Sequence, residues 1–219
     1  MNKNNIKKLT VTAMLTALAY MVTFLTAMFK VGGFLSLDLK DAVLSIVALL
    51  YGPLYGFMSV LCVAAVEFFT FSSTGWYGLV MNIFSSGVFV LACGSVYKYK
   101  RNFTGALISA ALTVVSVTAV MLVANIFITP LYFGMPRETV IGMLLPLLLP
   151  FNLCKSVMNS SLMLLVYKPF TSALKKSGLI KSDSGKYEFN RKTVLLTLAT
   201  VALIVIALLV LLKIGIKVE

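Results

Sequence analysis

Between Glu67 and Lys98, and again between Arg101 and Arg137, the chain carries no charged side chain at all. In lipid, backbone N–H and C=O groups find no water, so a spanning chain must be either helical or a closed barrel. A helix needs about 20 apolar residues to cross roughly 30 Å of hydrocarbon, whereas a barrel strand needs about ten of alternating polarity. The runs here are long and do not alternate, which predicts a helical bundle. Composition agrees: 60% of the 219 residues are hydrophobic and only 12% are charged. That is more apolar surface than a soluble core of this size can bury. The expected fold class is an all-α integral membrane protein without a soluble domain.

The net charge of +12 would suit nucleic acid, but Lys and Arg gather at the ends of the apolar runs. Membrane orientation and anionic lipid account for them there, so the lipid bilayer is the expected partner and nucleic acid is not. Residues 1–8 are basic and lead into an apolar run without a small-residue cleavage site, which reads as a retained first helix. Cys62, Cys93 and Cys154 stand singly, and the chain has no His, so no metal or haem site is expected.

The runs predict helices over residues 6–29, 35–51, 54–71, 78–97, 105–128 and 151–167, and a seventh over 193–212. The second and third are separated by charge arithmetic. Gly52-Pro53 leaves residues 42–51 too short to span alone, about 15 Å. A single kinked crossing over 42–71 would put the basic clusters at Lys3, Lys7 and Lys8 and at Lys98, Lys100 and Arg101 on opposite faces, against the positive-inside rule. Two crossings put both inside, with Asp38, Lys40 and Asp41 at the outer end of the first and Pro53 opening the second, where its missing N–H is harmless. Residues 139–167 are too long for one straight crossing, and Pro146 and Pro150 are expected to break them into a shallow outer cap, 140–149, and a steep helix. The basic stretch 168–192 is then cytoplasmic, as is the N-terminus.

Against this background the polar exceptions stand out. From Val140 to Tyr167 the strongly polar side chains are Asn152, Lys155 and Asn159, which share one face of a helix at i, i+3 and i+7. A charge at that depth is by default a functional-site candidate. Glu67, Asn82 and Asn125 fall near the same outer level on three other helices. Glu67 is either an interfacial carboxylate in water or part of one cavity with the stripe. Trp76 and Tyr77 form either an interfacial aromatic belt or a cover for a planar ligand. Ala13 and Ala17, four apart on the first helix, permit close helix approach, inside this bundle or with a partner protein.

The sequence lacks a P-loop, a zincin or nucleophile-elbow motif, an acid pair within one crossing and a clear three-plus-three repeat. Enzyme and self-sufficient transporter readings therefore lack their residues, and a binding subunit remains. The residues then resemble a known family, the substrate-binding membrane subunits (S components) of energy-coupling-factor vitamin transporters, riboflavin-specific type. Three stretches carry the likeness: Ala13-x-x-x-Ala17, the segment from Phe34-Leu35-Ser36-Leu37-Asp38 to Tyr51-Gly52-Pro53-Leu54-Tyr55-Gly56, and Pro150-Phe151-Asn152-Leu153-x-Lys155. The resemblance implies a six-helix bundle over 1–177, an outward-facing pocket, and a partner complex of a transmembrane coupling protein and two ATPase subunits. It implies coupling-protein contact at Ala13 and Ala17, flavin contact at Asn152 and Lys155, and pocket and gate roles for the loop holding Leu37 and Asp38. Riboflavin would be a transported ligand and not a cofactor, in a bacterial cytoplasmic membrane. Ser156 stands where the family often has Gly. The linker 178–192 and the helix within 193–219 are additions to the six-helix pattern. The alternatives are another vitamin, such as thiamine, folate or pantothenate, or a membrane assembly partner that transports nothing.

Overall fold

The computed structural model describes residues 3–26, 30–31, 35–100, 103–176 and 191–218. They form α1 (Lys3–Thr26), a two-stranded antiparallel hairpin of β1 (Lys30–Val31) and β2 (Leu35–Ser36), α2 (Lys40–Tyr51), α3 (Pro53–Thr70), α4 (Gly75–Tyr99), α5 (Phe103–Phe133), α6 (Arg137–Met143), a π-helical turn (Leu144–Leu148), α7 (Leu149–Lys176) and α8 (Arg191–Val218). In the hairpin Lys30 pairs with Ser36 and Val31 with Leu35. The predicted ending of the first helix at Phe29, the family-like Phe34 and most of the linker 178–192 lie outside the described residues.

The bundle is built around one of its shorter helices. α2 has 12 residues, nine of them buried, and packs against α1, α3, α4 and α7. Its apolar side chains divide among these neighbours: Leu44 and Ala48 meet Ala19, Val60, Val63 and Val90, whereas Ile46 and Val47 meet Val11 and Leu15. At its end Gly52 adopts φ 104°, a conformation that strains any residue with a Cβ, and its N–H closes on the Ala48 carbonyl at 2.9 Å. Pro53 then opens α3 at its first position. Around Ala48 the helices nearly touch. A Cβ on Gly56 would lie 2.3 Å from Val90 Cγ1 and 2.8 Å from Ala48 Cβ.

Among the described residues five helical segments are long and apolar enough to cross a membrane: Asn5–Thr26, Pro53–Thr70, Gly75–Tyr99, Thr104–Phe133 and Arg137–Tyr167. The described side chains of α8 include a further apolar stretch, Leu198–Lys213. Several expectations need correction. The second helix begins at Lys40 and not at Leu35, because residues 35–36 are held in the hairpin and 37–39 are irregular. Lys40 and Asp41 are consequently not at a wet outer end; each is about 1% exposed. Nor do Pro146 and Pro150 break the chain into cap and helix. Residues 137–176 stay helical throughout, and the π turn around Pro146 absorbs the widened spacing that the missing proline N–H groups demand. The turn expected over 72–78 is also shorter, since α4 takes in Trp76 and Tyr77.

The contact at Gly56 makes a direct prediction. Gly56→Leu should destabilise the bundle by about 1–3 kcal/mol, the usual cost of overpacking, seen as a lowered melting temperature in detergent. An unchanged melting temperature would mean that α2, α3 and α4 are not closely packed there.

Candidate functional site

The stripe on α7 faces the entry to α2. Asn159, fully buried, donates to the Asp38 carbonyl at 3.0 Å and accepts from the Ala42 N–H at 3.0 Å. The first N–H groups of a helix have no partner of their own, and Leu39 offers α2 no side-chain cap. Asn159 therefore caps α2 from another helix and fixes the turn that carries Asp38. One turn earlier, Lys155 Nζ donates to Asp38 Oδ2 at 3.0 Å.

From Asp38 the polar network crosses the bundle. Lys40 Nζ lies 3.8 Å from Asp38 Oδ2 and donates to Glu67 Oε2 on α3 at 2.8 Å. Asn82 on α4 donates to the same Glu67 oxygen and accepts from Ser86 at 3.3 Å. One charged chain thus links α7, the turn before α2, α3 and α4. Asp38 Oδ1 is buried without a partner among the described residues.

Above this network lies a cavity of about 410 Å³. Its walls include Phe24, Phe68, Phe71, Tyr77, Tyr132 and Phe133, and its polar side chains include Asp38, Glu67, Asn82, Asn125, Asn152 and Lys155. Asn152 spends one N–H on the Leu148 carbonyl at 2.8 Å, and Asn125 spends one on the Met121 carbonyl at 2.7 Å while accepting from Thr129 at 2.8 Å. Each amide has further donor and acceptor capacity. The arrangement, apolar and aromatic walls with a few convergent polar groups, is that of a small-molecule site.

The candidates from sequence fall into three groups. Asn152, Lys155, Asn125, Asn82, Glu67 and Asp38 line the one cavity. For Glu67 the geometry selects the cavity over the interface. Trp76 does not line it: the indole is 69% exposed and sits against Phe68, 4.5 Å between ring centres, so it backs a wall. Leu37 is buried behind the cavity with Phe151, Cys154 and Met158. Ala13 and Ala17 are exposed, whereas Thr16 beside them is half-buried and bonds Ser59 of α3, so the small-residue pair does not pack within the bundle. Lys40 was missed. Three charges within four residues of an expected crossing, Asp38, Lys40 and Asp41, were the signal.

A model of the family described as "ECF transporter, substrate-specific component" matches residues 7–167. The chain belongs to that family. The match spans every residue lining the cavity; α8 lies beyond it. This ECF substrate-specific component is 23% identical over 183 residues to the riboflavin transporter RibU of Staphylococcus aureus (strain TCH60), covering 80% of the chain and 96% of that protein. It is also similar to a solved structure reported as the S component of a bacterial ECF transporter, with a TM-score of 0.67 and 25% identity over 78% of this chain and 99% of the other. The family is one of transporter components and not of enzymes, and the chain is a multi-pass membrane protein.

The ion pair sets a test of energetics. Removing one partner of a buried pair leaves an uncompensated charge and costs about 3–5 kcal/mol, whereas replacing both with apolar groups costs far less. Lys155→Met should therefore destabilise the component strongly, and Lys155→Met with Asp38→Leu should recover most of the loss in denaturant titrations. Additive losses would show that the two groups are not coupled.

Proposed function

We propose that this component binds riboflavin from outside the cell and delivers it across the cytoplasmic membrane in complex with a coupling protein and two ATPase subunits. The observation that carries the reading is the meeting of aromatic walls with Asn152, Lys155, Asn125 and Asp38 in one cavity. A flavin is a large planar ring with a hydrogen-bonding edge and a hydroxylated tail. An amide matches an imide edge with one donor and one acceptor, and an ammonium donates to a ring carbonyl. The similarity to a riboflavin transporter supports the same ligand, and the cavity volume lies within the range of about 300–1,000 Å³ usual for ligand sites.

The exposed face of α1 supplies the second half of the proposal. Ala13 and Ala17 form a shallow, smooth strip between Met14, Leu18 and Met21, suited to close approach of a partner helix. With the basic clusters inside, the N-terminus lies in the cytoplasm.

Purified protein should quench the fluorescence of added riboflavin, and Asn152→Ala should weaken binding by up to about a hundredfold, the equivalent of about 1–3 kcal/mol for a buried polar contact. Wild-type protein that neither copurifies with flavin nor quenches it, while binding another vitamin in a competition panel, would overturn the riboflavin assignment. Ala13→Trp with Ala17→Trp should leave quenching intact and abolish flavin uptake into cells that also hold the coupling protein and ATPases. Undiminished uptake would remove α1 as the docking surface.

A further inference from the structure

The eighth helix is packed against more than its neighbour in sequence. α8 lies along α7 and also touches β1. Among the described side chains of α8, Thr200, Ala207 and Leu211 are buried and, with the half-buried Ile204, they fall on one face. That face meets one apolar cluster: Ile204, Ala207 and Leu211 pack with Leu37, Phe151, Cys154 and Met158, and with the half-buried Leu35 and Leu39.

The composition of this cluster ties α8 to the cavity. Leu37 and Leu39 flank Asp38, and Cys154 and Met158 lie beside Lys155 on α7. The ion pair between Asp38 and Lys155, 3.0 Å long, is therefore one side of a two-piece contact whose other side is the cluster under α8. Leu35 and Phe151 belong to both, for they line the cavity and pack in the cluster. Residues 37–39 have no regular secondary structure and so no helix or sheet ladder of their own to hold them. Their placement depends on Asn159, Lys155 and the apolar contacts.

We propose that α8 is a positioning brace for the binding site: through Ile204, Ala207 and Leu211 it presses residues 35–39 onto α7 and so holds Asp38 at the cavity wall. A brace of this kind slows ligand escape, because lifting residues 35–39 from α7 would part the stretch of cavity wall that Leu35, Asp38, Phe151 and Lys155 form. It leaves the chemistry of recognition to other residues. The ligand part of the test rests on the riboflavin reading; the structural part does not.

The test uses the full chain in detergent, comparing wild type with Leu211→Ala and the milder Ile204→Val, and with Leu209→Ala on the exposed face of α8 as control. Amide hydrogen exchange is the ligand-free readout. In Leu211→Ala, exchange at residues 35–39 should speed up by about tenfold, with a smaller rise in Ile204→Val, and with α1 and the Leu209→Ala control unchanged. Riboflavin, monitored by fluorescence, should dissociate faster from Leu211→Ala with little change in association rate, and Leu211→Met should restore the slow rate. A helix that merely adds stability would raise exchange along α7 and α8 and leave residues 35–39 and the dissociation rate unchanged, and that result overturns the proposal. If wild type binds no riboflavin, the proposed ligand fails, while the exchange of residues 35–39 still decides for or against the brace.

Discussion

The ion pair between Lys155 and Asp38 is the constraint from which the rest of the architecture follows. An ammonium and a carboxylate at this depth lose their water, and only a well-placed partner offsets that loss. The partner has to come from a segment whose backbone is itself irregular, which lipid does not tolerate unless protein covers it. Asn159 answers both needs, since it binds the Asp38 carbonyl and caps the first turn of α2. The shortness of α2 then has a cause. Its first turn is taken up by the polar network, and its 12 residues run only from that network to Gly52.

Lys40 extends the constraint to the other side of the bundle. It is 1% exposed and joins Asp38 to Glu67, which in turn holds Asn82. The cavity floor is consequently one connected network and not a set of separate contacts. Such networks act cooperatively in a low dielectric and fix a single arrangement of the helices that contribute to them. The aromatic walls need no comparable device. Phe68, Phe71 and Tyr77 come from the end of α3, its turn and the start of α4, so a short connection places them together.

What the sequence disclosed was whatever local chemistry determines. The uncharged runs marked the membrane helices, Gly52-Pro53 marked the turn, and the spacing of Asn152, Lys155 and Asn159 marked a common face. Features that depend on distant partners were not legible. Lys40 looked like a residue at a wet helix end because its partner, Glu67, is 27 residues away. The hairpin between Lys30–Val31 and Leu35–Ser36 is too short to leave a periodic pattern. Pro146 and Pro150 read as a break because the sequence does not reveal that a π turn can absorb them. Trp76 and Leu37 were placed by type and by resemblance, and only packing could show that one backs Phe68 and the other lies behind Asp38.

The charge balance of the network bears on which ligands it accepts. Among the described residues the ion pairs match Asp38 and Glu67 with Lys40 and Lys155, so the network holds two acids and two bases and leaves no free positive charge. An anionic vitamin such as pantothenate or folate would bring further negative charge into this low-dielectric site, where like charges repel far more strongly than in water. It would have to draw Lys155 or Lys40 away from its carboxylate, leaving that carboxylate unpaired. Riboflavin is uncharged and asks for no such exchange. Its ring edge would meet amides and an ammonium that keeps its ion pair. Electrostatics therefore favours a neutral ligand over an anionic one.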